Sequence, residues 1–358
     1  MLLRKKYPFG IDISDRSIKV AQLEKGGDGL ALSCYSRREI PAGVLEEGEI
    51  RNESVFLETL QKAIQEVKGV PPQIKKCVVS LPESESFVHM VSLPQMKKDE
   101  LEEAIRWEAE AHIPYQIEDV YLDWQIIRPL KKTPGKLSVL IGAMPKKIVD
   151  DYAAVFKKTE FQPIVFEIES IATARALIKN SYSEDPLMLI DLGADRTSFI
   201  IFSGQTIIFT ASSPFSNLKI VHRISETLEI DPREALEMKV RQGLSLKENP
   251  KLKKILESEL GELVLSVEKY LNYFRSHPTH EHSNRPLISK IILCGGGANL
   301  AGLDEFLQEK LHLPVDIGNP WVNILKPPIS EVPEIPYEES IAFTTALGLA
   351  LRGIKEDD

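Results

Sequence analysis

At 358 residues the chain is too long for one compact core, so two or more lobes are expected. Its 43% hydrophobic and 27% charged residues suit an ordinary globular protein, and its formal net charge of −9 argues against nucleic acid, which requires a basic face. Cys34, Cys77 and Cys294 stand singly on apolar runs with no C-x-x-C pair, which reads as small core residues in a reducing cytoplasm rather than disulfides or metal ligands.

Arg4-Lys5-Lys6 leads into a strand carrying Asp12 rather than into a signal-peptide core, and no later run of about 18 apolar residues suggests a membrane span. Any link to a membrane is therefore expected to pass through a partner. Strands are predicted at Phe9–Ile13, Ile18–Leu23 and Ala31–Glu39, then a helix over Asn52–Val67, where Val55, Leu57, Leu60, Ala63, Ile64 and Val67 recur at helical spacing and Asn52 or Ser54 caps the start. Val70-Pro71-Pro72 stops that helix, and Cys77–Leu81 is a buried strand that completes a βββαβ order. Residues 86–159 read as an inserted unit: strand Phe87–Ser92, helix Lys97–His112, strands Val120–Ile127 and Leu137–Ala143 across a Thr133-Pro134-Gly135 turn, and helix Lys147–Lys158. Leu101, Ala104, Ile105, Ala109 and His112 form the inward stripe of its first helix, and Trp107 falls off it, which marks either local packing or a contact surface.

Pro163–Ile168, a helix around Ser170–Asn180 and the acidic link Ser183-Glu184-Asp185-Pro186 lead to strands at Leu187–Leu192, Ser198–Phe202 and Thr206–Ala211. A helical part follows from Leu218 to Lys269, with a charged middle at Lys247–Lys254. His277, His280 and His282 look like a loose metal cluster but lack ligand spacing, and a solvated loop is the better reading. Strand Lys290–Cys294, the triplet Gly295-Gly296-Gly297, a helix through Leu303 and Leu311, a Pro-rich stretch over Asn319–Pro336 and a last helix at Glu338–Leu351 close the chain.

Two stretches repeat. Ile11–Ser17, IDISDRS, and Ile190–Thr197, IDLGADRT, each carry an Asp on an apolar strand, a small residue two positions later, then Asp-Arg-hydroxyl and a second strand. They agree apart from one inserted residue. Each is a hairpin signature, and two such hairpins nearly half the chain apart imply two lobes of like fold. An Asp at each tip, facing the other across a cleft, suits a magnesium-phosphate group, because carboxylates hold the ion through its waters while hydroxyls and N–H groups hold phosphate oxygens. The alternative is a pair of ordinary hairpins whose Asp and Ser residues cap turns. Gly295–Gly297 matches neither G-x-G-x-x-G, since Leu300 stands where the third glycine would fall, nor a G-K-[ST] P-loop. By itself it is equally a tight turn or a place where bare backbone meets a flat or charged ligand.

Together, the two Asp-tipped hairpins and LCGGGANLAGL resemble the phosphate 1, phosphate 2 and adenosine motifs of the actin-like ATPase superfamily. FGIDISDRSIKVAQLE, VVSLPES, RWEAEAHIPYQIEDVYLDWQII, LIDLGADRTSFIIFSGQTIIFT and LCGGGANLAGLDEFLQEKLHLPV run over nearly the whole chain in the order of the PilM family of type IV pilus assembly proteins, and the middle block is the most diagnostic. The resemblance implies an α/β, actin-like (ribonuclease H-like) fold: two lobes of like βββαβα topology with an FtsA-type subdomain inserted in the first. It assigns residues 1–85 and 160–184, joined by helix 338–352, to the first lobe core and 86–159 to the insertion. The second lobe core takes 185–217 and 286–337, and an outer subdomain takes 218–285. ATP with Mg²⁺ is the implied ligand, with Asp12, Ser14, Ser17, Lys19, Asp191, Gly193, Thr197, Lys239, Gly295, Gly296 and Gly297 as nucleotide-binding residues, and Asp12 and Asp191 holding the metal through water. The implied role is a cytoplasmic scaffold at the inner face of the cytoplasmic membrane. It would bind the tail of an inner-membrane PilN-type protein in a groove with candidate residues Phe87, His89, Trp107 and Tyr115, and touch the pilus assembly ATPase, with self-association allowed.

Departures from the superfamily pattern bear on mechanism. Ser14 stands where Gly is usual, and Asp15 would add negative charge near a phosphate unless Mg²⁺ or Arg16 offsets it. Ser216-Asn217 replaces a common Gly-Gly pair, and Leu236 stands three residues before Lys239 where related proteins carry Glu, with Glu237 one residue off. No general base is evident, so little or no hydrolysis is expected. Three other readings compete. A sugar or acetate kinase expects intact phosphate motifs; an FtsA-like filament former expects a basic amphipathic C-terminal helix where this chain has RGIKEDD; the actin-like part of a GspL-type secretion protein expects a following membrane span.

Overall fold

The first sheet grows from one hairpin. The structure, a computed structural model, describes residues 5–26, 29–127, 135–244, 249–276, 287–326 and 332–357; Gly27, Thr133-Pro134, Lys247-Glu248 and His277, His280 and His282 lie outside them. Strands β1 (Phe9–Ser14) and β2 (Ser17–Lys25) pair antiparallel, and β3 (Leu30–Glu39) adds beside β2. A two-residue hairpin, β4 (Leu45–Glu46) with β5 (Glu49–Ile50), precedes α1 (Glu53–Gln65), whose cap Asn52 accepts the Val55 N–H at 3.3 Å. The helix stops before Val67, where the sequence pattern would carry it, because β6 (Lys68–Gly69) turns back to pair with β3 and Gly69 takes φ +91° against the Ser33 carbonyl. β7 (Lys76–Leu81) then lies parallel to β1, with Cys77, Val78, Val79 and Leu81 all buried, as a strand covered on both faces requires.

Next come β8 (Phe87–Pro94), α2 (Lys98–His112), β9 (Val120–Ile127), β10 (Lys136–Pro145) and α3 (Lys146–Phe156). The first four hold a core of their own around Leu101, Ile105, Ala109, Val139 and Ile141, while Ile148, Tyr152, Val155 and Phe156 of α3 belong to the main core. His112 departs from the predicted inward stripe and is exposed. β11 (Gln162–Ile168) returns to the outer edge of β7, giving the first sheet the order β11-β7-β1-β2-β3-β6. α4 (Glu169–Leu177) follows directly.

The second sheet repeats this plan. β12 (Ser183–Leu192), β13 (Thr197–Gly204) and β14 (Thr206–Ser213) form an antiparallel meander. After α5 (Asn217–Leu228), α6 (Pro232–Gln242) and α7 (Pro250–Ser276), strand β15 (Lys290–Cys294) pairs parallel to β12. α8 (Leu303–Leu311) leads to β16 (Val315–Ile317) at the far edge. The edge strand β14 does not stay free: β8 joins it at the Phe209–His89 pair, so β8, β10 and β9 extend the second sheet to eight strands, in the order β16-β15-β12-β13-β14-β8-β10-β9. Sequence order puts the 86–159 segment inside the first lobe, but its backbone hydrogen bonds go to the second sheet, covering an otherwise unpaired edge.

The predicted last helix is broken into α9 (Tyr337–Ser340), a 3₁₀ turn at Ile341–Phe343 and α10 (Thr344–Asp357). α10 packs across β1 and α4 in the first lobe. Glycines permit that approach: a Cβ on Gly10 would lie 2.7 Å from the Ala350 nitrogen. Among the described residues, no helix is long and apolar enough to cross a membrane.

Candidate functional site

The two hairpins face a cleft of about 600 Å³, a size suited to a small-molecule ligand. Asp12 lies opposite Lys19 across β1 and β2, and the ammonium donates to its carboxylate at 2.8 Å with both side chains largely buried. Asp191 holds the same place on β12, but its cross-strand neighbour is Ser198. Its own ladder supplies no lysine, and burial, followed by the Asp12 carboxylate, pushes its pKa up to about 6 against the weaker pull of Lys19. The repeated motif is therefore chemically unequal.

A third carboxylate joins them. Glu169, the first residue of α4, lines the cleft, and burial followed by the charges of Asp12, Asp191 and Glu83 holds its pKa well above the usual carboxylate range. Glu83, in the link to β8, accepts the Ser170 N–H at 3.3 Å, while its own N–H donates to Glu169 at 3.5 Å; burial raises its pKa as well. Sequence reading missed both, because no motif joins two residues 86 positions apart. Among the described residues, no group of three Asp, Glu, His or Cys side chains is arranged to hold a metal ion. A metal held here through water, with phosphate oxygens supplying other ligands, remains compatible with the carboxylates present.

The Asp-Arg pairs turn to each other. Arg16 crosses the cleft to Asp195, its Nε at 2.6 Å and its Nη2 at 3.3 Å from the two carboxylate oxygens. Arg196 donates to Ser212 Oγ at 2.9 Å and to Glu47 at 3.4 Å. Asp15, expected to weigh against a phosphate, instead accepts the N–H groups of Glu47 and Gly48, both at 3.0 Å. Arg16 acts on Asp15 only as a nearby charge, since its hydrogen bonds go to Asp195.

Ser14 and Ser17 line the cleft with their hydroxyls 3.2 Å apart. Gly193 closes the second hairpin turn by donating to the Arg196 carbonyl at 2.9 Å, and a Cβ there would lie 2.7 Å from that oxygen. Thr197 is not brought into the cleft. It is fully buried, and its hydroxyl donates to the Phe215 carbonyl at 2.9 Å, while Ser198 and Ser212 line the wall at this level.

Gly295 has φ +79°, and a Cβ on it would overlap the Asp191 carboxylate, so this turn demands glycine twice over. After it come a 3₁₀ turn at Gly296–Asn299 and Gly302 at φ +78°, and α8 begins only at Leu303. α8 thus falls on the predicted helix through Leu303 and Leu311. Gly297 packs on the Asn217 carboxamide. Lys239 is 4% exposed, donates from Nζ to Asn217 Oδ1 at 2.6 Å, and has its pKa lowered to about 8 by burial. Leu236 and Val240 line the same wall, whereas Glu237 turns outward to Arg241.

Of the groove candidates, Phe87 and His89 are half-buried neighbours on β8, and the His89 ring sits 5.7 Å from that of His112 and 6.5 Å from that of Phe209. Tyr115 donates to Glu85 at 2.8 Å just before β8. Trp107 is 67% exposed on the side of α2 opposite the Leu101–Ile105–Ala109 stripe.

Two sheets of equivalent strand order, closing on a cleft with duplicated aspartates and a glycine turn, define an actin-like ATPase fold. MreB 5 of Spiroplasma citri bound to AMPPNP is similar over 98% of each chain with a TM-score of 0.56 and 12% identity. The model of the family "Type IV pilus assembly protein PilM" matches residues 10–354, so the chain belongs to that family. A solved PilM-PilN type IV pilus biogenesis complex is similar over 97% of this chain and 98% of that chain, with a TM-score of 0.80 and 24% identity. The cell division protein FtsA of Pseudomonas aeruginosa is 22% identical over 217 residues, 53% of this chain; the match spans about half of that relative, 47% of its length.

Proposed function

We propose that this chain is a cytoplasmic scaffold of a type IV pilus assembly machine, docked at the inner membrane by the tail of a PilN-type protein, with a cleft that takes Mg-ATP as a regulatory ligand. The nucleotide reading is carried by the distribution of charge: Lys239 is a buried cation whose hydrogen-bond partner is a neutral carboxamide, and across the cleft Asp191 and Glu169 are carboxylates without a cation of their own. A polyphosphate chain that carries a hydrated divalent cation would neutralise both, with phosphate oxygens toward Lys239 and the ion toward the carboxylates. Gly295–Gly297 would let its base or ribose approach bare backbone, with Leu236 and Val240 as apolar wall. When bound, the ion supplies charge neutralisation for the phosphates. Slow or no hydrolysis is part of the same proposal, since no general base is evident in the sequence.

Mg-ATP affinity is expected to peak between pH 6 and 8. Below about 6 Asp191 takes up a proton and stops attracting the cation; above about 8 Lys239 loses the proton that attracts phosphate. Calorimetric titrations from pH 5 to 9.5 test this, and a flat profile would remove both groups from the site.

For the partner, family membership supports a PilN-type tail, and the 86–159 segment offers apolar and aromatic side chains for an extended peptide. Contact with the pilus assembly ATPase and self-association remain part of the proposal. Trp107 makes no ring contact and no side-chain hydrogen bond among the described residues, so its removal should not disturb the core. Trp107→Ala is expected to weaken binding of a PilN-type tail peptide about tenfold with unchanged melting. Equal affinity in a fluorescence-anisotropy titration would exclude Trp107 from the groove, and no binding by the wild-type chain would sink the partner assignment.

A further inference from the structure

The side chain of Asn217 joins three parts of the cleft. It opens α5 behind the cap Ser216, whose hydroxyl accepts the Lys219 N–H at 3.1 Å. Its Nδ2 donates to the carbonyls of Leu192 and Gly193 at 3.2 and 2.7 Å, and its Oδ1 accepts from Lys239 at 2.6 Å. The carboxamide lies against Gly297 so closely that any Cβ there would overlap it. Both donors and the acceptor are thus spent inside the protein.

The start of α5 is spent in the same way. The N–H groups of Asn217 and Leu218 reach the carbonyls of Gly193 and Ala194 at 3.4 and 3.0 Å. A helix start and a buried ammonium are the groups that would meet a phosphate, and here both are engaged by the chain itself. The passage from the second hairpin to the glycine turn is filled by a side chain.

Resting on the reading of the cleft as a Mg-nucleotide site, we propose that Asn217 sets its nucleotide affinity by acting as a built-in competitor: the carboxamide occupies Lys239 and the face of Gly297 until nucleotide displaces it. A nucleotide must break the Lys239 contact or crowd the carboxamide aside, so this chain binds ATP more weakly than its fold would otherwise allow. The competitor also makes the empty cleft self-satisfied, with its buried cation partnered.

The test is calorimetric titration of Mg-ATP into the full chain at pH 7, comparing wild type with Asn217→Gly and Asn217→Ala, with melting recorded for each. Alanine is included because glycine at the start of α5 can loosen the helix. Both variants are expected to bind at least tenfold more tightly than wild type. Gly297→Ala reads the packing without any nucleotide: it should lower the melting temperature of the wild-type chain and lower it less in the Asn217→Ala background. Wild-type binding that is unchanged or weakened in both variants overturns the competitor role and leaves the nucleotide reading standing. Equal destabilisation by Gly297→Ala in both backgrounds also overturns it. Absence of saturable binding in wild type and in both variants overturns the nucleotide reading itself.

Discussion

Asp191→Ala is expected to abolish measurable Mg-ATP binding, weakening it at least about 100-fold, while making the nucleotide-free fold more stable. The two effects have one cause. Asp191 is held at the cleft floor with Ser198 across the strand pair where Asp12 has Lys19, so its ionised form is uncompensated and its pKa rises to about 6. Removing it relieves that burden in the folded state and deletes the charge that would attract the cation. A raised carboxylate pKa means that the folded state holds protons more firmly than the unfolded one between 3.8 and about 6. The destabilisation by ionised Asp191 is therefore present in full above pH 6 and is lost as the pH falls toward 3.8. The relief should amount to on the order of 1–3 kcal/mol at pH 7 and shrink at pH 4.5. Calorimetry with thermal melts at both pH values checks this. Undiminished ATP binding would remove Asp191 from the site, and loss of binding with a lower melting temperature would mean that Asp191 is a structural support.

Gly348→Ala should be the most damaging single methyl in the chain. A Cβ at this position in α10 would lie 2.5 Å from the Ala172 carbonyl carbon of α4, and neither partner is a side chain that can turn away. The helices must separate. Arg175 donates to the Gly348 carbonyl at 3.0 Å and holds Glu167 through two contacts of 2.5 Å, with both side chains nearly buried. Overpacking costs about 1–3 kcal/mol, and disturbing a buried ion pair adds to it. A loss of at least about 3 kcal/mol is expected, seen as a fall of about 4 °C or more in melting temperature for a chain of this length. A shift of about 1 °C or less would show that α10 does not hold this close contact with α4.

Much of the frame was legible in the residues. The β1–β2 and β12–β13 hairpins announced themselves because each pairs a largely apolar strand carrying one Asp with an Asp-Arg turn, and hairpin pairing is local. Likewise, α1 was readable from its cap at Asn52 and its apolar spacing. The end of α1 was misjudged because β6 belongs to a sheet, and a tertiary ladder overrode helical periodicity. The glycine turn was placed correctly after β15, and the following helix falls where predicted, through Leu303 and Leu311, beyond Gly302 in the left-handed region.

By itself the sequence determined the two duplicated hairpins, the glycine turn and membership of a family, all of which depend on residues close together or on motif order. Tertiary structure alone decided that β8 joins β14 and extends the second sheet, that Thr197 faces inward, and that the charges of Asp12 and Asp191 act on Glu169. It likewise decided that Asn217 answers Lys239 and that Arg16 pairs with Asp195. The physical reason is range: strand register sets which face a side chain takes, and a buried charge is defined by whichever residues the fold brings beside it. Asp12 and Asp191 look alike in their motifs and differ in chemistry because one faces a lysine across its ladder and the other a serine.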